Sequence, residues 1–167
     1  MPVYGTAIPT AEGLRRVLER VKPTGDDATV VWLNLREEPV VYIHGRPFCV
    51  KDRSSPFSNL ENTGIAMTDV EAAEEMLKAE VVEEARKFGA KLLLCDETAP
   101  EATAGVAAWG EMYQYWEDGI SENDVQTPKE IFEAAASEAA KGSGRFGKKF
   151  VVKYHRVPIP DEKSPRE

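Results

Sequence analysis

The chain has 167 residues, of which 42% are hydrophobic and 30% are charged, and 21 Lys and Arg against 29 Asp and Glu give a net charge of −8. This length and composition predict one globular domain with a buried core, and they exclude a disordered chain or a fibrous repeat. The acidic balance, with a pI near 5.0, also argues against nonspecific nucleic-acid binding, which needs a basic surface.

The apolar runs of the chain, such as residues 92–95, fall far short of the roughly 20 residues that a membrane-spanning helix needs. Residues 1–5 have neither the basic nor the apolar part of a signal peptide, so we expect a cytoplasmic protein. Two cysteines, Cys49 and Cys95, cannot form a disulfide framework and lack metal-ligand spacing. We expect both to be reduced core thiols, and we expect no metal and no cofactor.

The first part of the chain alternates strand and helix patterns. A β-rich run at 3–7 precedes a helix with Thr10 as N-cap, which ends near Pro23. Residues 29–35 are apolar almost throughout, the pattern of a central strand covered on both faces. A β-hairpin follows, with strands at 40–43 and 47–50, a turn at His44-Gly45, and Pro47 at a sheet edge.

The second part of the chain continues the alternation. After a loop at 54–67, a capping box at 68–71 predicts the longest helix, which Gly89 closes, and 91–95 reads as another buried strand. Residues 98–105 are loop-like. Thr127 and Glu130 predict a capping box for a helix over 128–141, and residues 150–154 form the last strand. The order β-α-β-β-β-α-β-α-β predicts an α/β sheet with helical crossovers.

The usual catalytic motifs are absent: a Walker loop, a dinucleotide-binding glycine motif, a nucleophile elbow and a zinc-protease motif. His44 and His155 are more simply surface or packing residues than ligands. Asp96 and Glu97 follow a predicted buried strand, where α/β sheets place ligands, although carboxylates also form turns there. The glycine- and lysine-rich segment 141–149 is either an anion cradle or a flexible helix-to-strand connection.

Several segments resemble the paladin family in the family's own order. The most specific block is Asn34-Leu35-Arg36-Glu37-Glu38-Pro39-Val40-Val41-Tyr42-Ile43 with Gly45-Arg46-Pro47-Phe48. The other matching segments are 3–7 with 9–10, 56–61, 115–117, 124–128 and 154–165. The resemblance implies an α/β fold of the cysteine-phosphatase superfamily, related to protein-tyrosine-phosphatase-like inositol polyphosphatases and phytases. Members of the family often carry two or more tandem copies of this unit.

The superfamily's mechanism uses a cysteine thiolate in a Cys-x5-Arg loop, where backbone N–H groups and the arginine hold the phosphoryl oxygens. A separate aspartate protonates the leaving oxygen. Segment 159–165 matches the family's acid loop, so the resemblance implies that Asp161 is the candidate general acid. Asp161 also has a simpler interpretation, as a solvated turn residue.

The nucleophile loop is missing from the sequence. The sixth residue after Cys49 is Ser55 and the sixth after Cys95 is Glu101, so neither cysteine begins Cys-x5-Arg. In the family this loop lies downstream of the acid loop. We therefore interpret residues 1–167 as a single, incomplete paladin-like phosphatase domain, truncated before the strand that carries the catalytic loop. The missing strand is central, so its neighbours should expose unpaired edges and apolar faces.

Two functions follow from the resemblance. The first is part of a cysteine-dependent phosphatase domain that acts on phosphate monoesters, such as inositol polyphosphates or phosphotyrosine, and is inactive alone. The alternative is a noncatalytic phosphatase-like binding or regulatory module. The partners would be a phosphorylated small molecule or phosphoprotein, and the remainder of the domain or a tandem copy. Candidate phosphate-binding residues, each of which could instead be an ordinary surface cation, are Arg36, Arg46, Lys51 and Arg53.

Overall fold

Three α-helices and seven strands occur in the residues that the computed structural model describes, which are 2–23, 29–51, 54, 65–97, 111–142 and 146–159. The helices are α1 (Ala11–Val21), α2 (Met67–Lys87) and α3 (Pro128–Lys141). The strands are β1 (Thr29–Asn34), β2 (Val40–Ile43), β3 (Arg46–Cys49), β4 (Lys91–Glu97), β5 (Met112–Asp118), β6 (Val125–Gln126) and β7 (Val151–Arg156). The predicted α/β class is confirmed.

The strands of the described ranges form three small sheets. β1 and β7 are parallel, β2 lies between β3 and β6 in an antiparallel sheet, and β4 pairs antiparallel with β5. The hairpin predicted for β2 and β3 is confirmed, with positive φ angles of 48° at His44 and 73° at Gly45, the backbone that two-residue hairpin turns prefer. Pro47 lies in β3 at the sheet edge, where its missing N–H costs no ladder hydrogen bond.

Strand β2 lies between two hydrophobic cores. Its residues alternate in direction, so Val40 and Tyr42 join a core with α1, α3, β1 and β7. Val41 and Ile43 join a second core with α2 and β4. All four residues of β2 are buried.

The predicted ends of α1 and α3 are confirmed. The Thr10 hydroxyl accepts a hydrogen bond from the Gly13 N–H at 3.0 Å, and it caps α1. Thr127 and Glu130 form a reciprocal capping box at the start of α3. Gly142 ends α3 in the left-handed conformation, and a Cβ there would come within 2.8 Å of the Lys149 backbone.

Four predictions were wrong: two concern strands, one a helix cap and one the burial of a cysteine. Residues 3–7 form no strand, and Val3 and Tyr4 are exposed. Helix α2 begins at Met67 with Ala66 as its N-cap and no side-chain cap, so the predicted box at 68–71 does not form. Strand β1 is covered on one face, by α3, whereas Val31 and Leu33 on the other face are 54% and 56% exposed. Cys95 is exposed, although Cys49 is half-buried.

The β4–β5 hairpin also differs from the prediction. Its outward face leaves Leu93 exposed, so β4 is not a buried strand, and Asp96 and Glu97 lie within it. Cys95 is exposed for the same reason, because it shares this outward face with Leu93. The loops predicted at 54–67 and 98–105 lie mostly outside the described residues. Within the described part, no helix is both long and apolar enough to cross a membrane.

Candidate functional site

The carboxyl ends of the parallel strands β1 and β7 meet at Asn34 and Arg156, which are register partners. Ligands of α/β proteins commonly bind at this edge of a parallel sheet. Residues 35–39, which we call the edge loop, cross this edge between β1 and β2. The chain after β7 stays beside the loop, because the Ile159 N–H donates to the Leu35 carbonyl at 2.9 Å.

A buried ion pair lies directly beneath the edge loop. The Arg156 Nη2 donates to Glu74 Oε1 at 2.6 Å, and each side chain is only 1% exposed. Arg156 Nη1 also donates to the Arg36 carbonyl at 3.1 Å. The Val40 N–H donates to Glu74 Oε1 at 3.3 Å. The pair therefore joins α2 and β7 to both ends of the edge loop.

Burial dominates the electrostatics of this pair. Removal from water raises the pKa of Glu74 to about 7, against the opposing effects of the Arg156 charge and the Val40 hydrogen bond. Burial likewise raises the pKa of the nearby Tyr42 and Tyr154 hydroxyls. Both tyrosines therefore stay protonated at neutral pH.

Arg36 is the cation of the edge loop that a ligand can reach. Its side chain is 27% exposed, and its Nε lies 3.2 Å from Glu38 Oε2. That approach is not aligned as a hydrogen bond, so Arg36 Nε is buried without a hydrogen-bond partner. The Arg36 N–H donates to Asn34 Oδ1 at 3.1 Å, while Nη2 lies 3.7 Å from the Cys49 sulfur. The backbone of Arg36 is therefore fixed on both sides, while its guanidinium keeps unused donor capacity.

A cleft of about 400 Å³ opens between the start of α2, α3 and β7, and Arg156 is one of its lining residues. Its apolar wall includes the stacked rings of Phe132 and Tyr154, whose centroids are 4.5 Å apart. Its lining also includes the charged residues Glu71 and Lys129, and the distance from Lys129 Nζ to Glu71 Oε2 is 3.7 Å. The cleft thus adds an apolar surface to the charged edge.

The predicted phosphate-binding residues do not form one cluster. Arg36 lies beside Cys49, on the β3 face that packs toward the first core. Arg46 lies on the opposite face of β3, where it forms an ion pair with Asp96 and donates to the Tyr115 hydroxyl at 2.9 Å. Alternation along β3 therefore separates these two arginines.

Three further predicted site residues are placed differently. Lys51 follows β3 and is half-buried. Arg53 and the candidate general acid Asp161 lie outside the described residues. Asp96, which the sequence placed beyond a strand end, is instead the ion-pair partner of Arg46 within β4.

The two histidines have different surroundings. His44 Nδ1 lies 2.7 Å from Glu117 Oε1, and its Nε2 lies 3.8 Å from Asp124 Oδ1. Hydrogen bonds from Ser121 lower the pKa of Asp124, because that carboxylate caps a short 3-10 turn. His155 is exposed on the cleft. In the described part of the chain, no group of His, Cys, Asp or Glu has the arrangement of a metal site.

The described ends of the glycine-rich segment 141–149 pack as a helix-to-strand connection. Phe146 and Phe150 are buried in the first core with their rings edge to face. The Lys22 Nζ donates to the Phe146 carbonyl at 3.0 Å. Residues 143–145, the centre of the predicted anion cradle, lie outside the described ranges.

Sequence reasoning missed the Glu74–Arg156 pair. Glu74 lies in the apolar stripe of α2 between Val70 and Leu77, and Arg156 follows Val152 and Tyr154 on the inward face of β7. The sequence did contain a signal: one negative charge in the apolar stripe of α2 and one positive charge in that of β7. Such charges are buried only when they are paired, so the two stripes could have been matched.

Comparisons with known proteins agree on one family. The family model for PTP-like phytases matches residues 33–167, and the description of that family names inositol hexakisphosphate. Human paladin (Homo sapiens) is 24% identical over 171 residues, which cover 100% of this chain and 18% of paladin. The chain thus spans less than a fifth of that relative.

A solved structure shows the same fold. It is the PTP-like myo-inositol phosphatase from Mitsuokella multacida in complex with myo-inositol-(1,3,4,5)-tetrakisphosphate, with a TM-score of 0.52 and 15% identity. The match covers 95% of this chain and 21% of that structure's chain. The resemblance to paladin and to PTP-like phosphatases seen in the sequence is confirmed, and the chain belongs to the PTP-like phytase family.

Proposed function

We propose that residues 1–167 are one incomplete phosphatase domain that binds phosphate monoesters at the edge loop, with inositol polyphosphates as the preferred class. Arg36 is the first phosphate ligand in this proposal. The observation that carries it is the position of Arg36 at the carboxyl edge of β1 and β7, with its backbone held by Arg156 and Asn34.

The chemistry of Arg36 suits this role. A guanidinium offers several N–H donors in a planar fork that matches the oxygens of a phosphate. Its partial exposure lets a ligand approach, whereas its anchored backbone limits the entropy lost on binding. The inositol phosphate named for the family, and the one bound in the Mitsuokella structure, support the same ligand class here.

Hydrolysis would need two further groups. A thiolate attacks phosphorus and forms a phosphocysteine, while Asp161 gives its proton to the departing alkoxide oxygen. Water then attacks the phosphocysteine and releases phosphate and the thiolate. Since the sequence has no Cys-x5-Arg, we propose that the thiolate comes from outside these 167 residues and that the chain alone is inactive.

A binding titration tests the proposed site. Inositol hexakisphosphate is titrated into the 167-residue chain, and Arg36→Gln should weaken binding about tenfold or more, since a hydrogen bond to a charged group contributes about 1.5–3 kcal/mol. The matched control is Arg16→Gln, which removes the same charge from an exposed arginine of α1. Equal losses in both variants would overturn the assignment of Arg36.

The other predicted cations remain part of the proposal. Arg46, Lys51 and Arg53 are each changed to Gln and compared in the same titration. We expect Arg46→Gln to weaken binding less than Arg36→Gln does. The Arg46 guanidinium already donates to Asp96 and Tyr115, whereas Arg36 approaches Glu38 without an aligned hydrogen bond.

A second candidate function is a noncatalytic phosphatase-like module, and the observation that favours it is the absence of Cys-x5-Arg from this sequence. Reading the coding sequence beyond the codon for Glu167 separates the two functions. A downstream Cys-x5-Arg supports the phosphatase, whereas a stop codon there supports the module.

A further inference from the structure

The buried pair of Glu74 and Arg156 contacts both ends of the edge loop. At the first end, Arg156 Nη1 donates to the Arg36 carbonyl at 3.1 Å. At the second end, the Val40 N–H, just after the loop, donates to Glu74 Oε1 at 3.3 Å. These contacts act on the backbone, so they fix where the loop runs.

Stability alone does not explain two buried charges in this place. Burying an ion pair carries a desolvation cost that often equals or exceeds the attraction, and well-packed apolar residues can be as stable. Apolar residues, however, could neither donate to the Arg36 carbonyl nor accept from the Val40 N–H. The directional hydrogen bonds are therefore what the charged pair adds.

We propose that Glu74 and Arg156 are positioning residues, which hold the edge loop so that the Arg36 guanidinium is presented at the carboxyl edge of β1 and β7. This inference rests on the proposed function in one respect only, namely that Arg36 binds phosphate. The fixing of the loop is a separate claim with its own measurement.

Glu74 makes the position of the edge loop sensitive to pH, because its carboxyl both titrates and accepts the Val40 hydrogen bond. The groups that face this carboxyl are Arg156 and Tyr154 from β7, Tyr42 from β2 and Glu71 from its own helix. We call the loop closed when its hydrogen bonds to Glu74 and Arg156 are made, and in this state the pKa of Glu74 is about 7. Opening of the loop would admit water and lower the pKa of Glu74 toward the ordinary value near 4.3. Because the closed state then binds more protons than the open state, rising pH favours opening across this window.

The same proton affects the charge seen by an anion. In the cluster of Arg36, Glu37, Glu38, Glu74 and Arg156, the carboxylates outnumber the guanidinium groups by one when all are ionised. A proton on Glu74 makes the cluster neutral. Anion affinity should therefore rise as pH falls through the titration of Glu74.

Amide hydrogen exchange on the 167-residue chain tests the positioning. The exchange rate of the Val40 N–H is divided by that of Ala135 in α3, which cancels the common hydroxide catalysis. We expect this ratio to rise about tenfold or more between about pH 5 and about pH 8 in the wild type, and to stay flat in Glu74→Gln. Arg156→Lys keeps the charge but cannot donate from two nitrogens to both Glu74 and the Arg36 carbonyl. This change should therefore raise the exchange ratio at every pH.

The matched control is Lys78→Gln. Lys78 lies on the same helix as Glu74, and the change removes its 2.7 Å ion pair with Glu130 of α3 without touching the loop. The positioning is overturned if Glu74→Gln keeps the wild-type pH dependence, or if Lys78→Gln changes the ratio as much as Arg156→Lys does.

The titration with inositol hexakisphosphate, repeated at the same pH values, separates the two proposals. Ionisation of the ligand changes the affinity of every variant equally. The ratio of the wild-type affinity to the Glu74→Gln affinity, followed against pH, therefore reports the titration of Glu74 alone. Exchange that responds as expected, with no binding by any variant, would refute the phosphate site and leave the positioning supported. Binding that responds with unchanged exchange would refute the positioning.

Discussion

Arg36 and Arg46 show how the neighbours of an arginine determine whether its guanidinium is available to a ligand. Both are arginines of the most specific sequence block, yet Arg36 lies in the edge loop beside Cys49, whereas Arg46 lies on the opposite face of β3. Arg46 is held by Asp96 and Tyr115 and lies 5.3 Å from the centre of the Phe48 ring. Arg36 keeps a partly exposed guanidinium on a fixed backbone, which is the arrangement that ligand binding requires.

Asp161 can be tested in a longer chain that contains a Cys-x5-Arg loop. We expect Asp161→Asn to slow the release of an inositol alkoxide by about 10²–10⁴-fold, because this leaving group needs a proton. The same change should affect p-nitrophenyl phosphate much less, since p-nitrophenolate leaves without one. It should also remove the fall in rate at higher pH that reports ionisation of the acid.

Glu162→Gln is the control for Asp161, because Glu162 is adjacent in sequence and has no assigned proton transfer. Equal losses for the alkyl and aryl esters in Asp161→Asn would show that the acid lies elsewhere. A larger loss in Glu162→Gln would show the same.

At the scale of elements, helix ends offer a direct comparison between a cap that forms and one that does not. Thr127 is buried and bonded within the capping box of α3, whereas Thr68 lies exposed inside the first turn of α2. We expect Thr127→Ala to lower the free energy of unfolding by about 1 kcal/mol, as other N-cap losses do. Thr68→Ala should change it by less than about 0.5 kcal/mol. Denaturant unfolding measures both, and equal losses would contradict the observed start of α2.

The elements that the sequence predicts well are those with local signals. α1, α3 and the β2–β3 hairpin carry their caps and turn residues within a few positions. β5 was missed because Tyr113, Gln114, Glu117 and Asp118 give it a mixed polar pattern, and it is defined by pairing with β4. Such pairing depends on residues that are distant in sequence, which a local pattern does not contain.

The site was predictable to a lesser degree than the fold. Arg36 was one of four candidate cations in the sequence, whereas Glu74 and Arg156 are identified only by the contact of α2 with the carboxyl end of β7. A buried ion pair is a property of two elements at once. The sequence shows each charge in its own apolar stripe, but the pairing requires the fold.

At the scale of the whole molecule, the missing nucleophile sets the expected activity. We expect the purified 167-residue chain to show no hydrolysis of p-nitrophenyl phosphate or inositol hexakisphosphate above background, because its sequence has no Cys-x5-Arg. A colorimetric phosphate assay checks this. Vanadate-sensitive turnover that survives Cys49→Ser together with Cys95→Ser would reveal a different nucleophile.

The uncovered face of the parallel sheet predicts how the chain behaves in solution. Val31 and Leu33 on β1 and Val151 on β7 are about half exposed, although parallel strands are usually covered on both faces. We expect the chain to self-associate or bind a hydrophobic dye, and Val31→Thr with Leu33→Thr should reduce both. Sizing chromatography and dye fluorescence test this, and a sharp monomer peak without dye binding would contradict it.

The place of β2 between the two cores has a consequence for how the protein comes apart. Each core takes alternate side chains from the same four residues, so neither can lose β2 and remain closed. A substitution such as Val41→Ala, although it removes atoms from one core, must loosen the strand that the other core also uses. The two cores should therefore melt together, as one cooperative unit, with β2 as the segment that couples them.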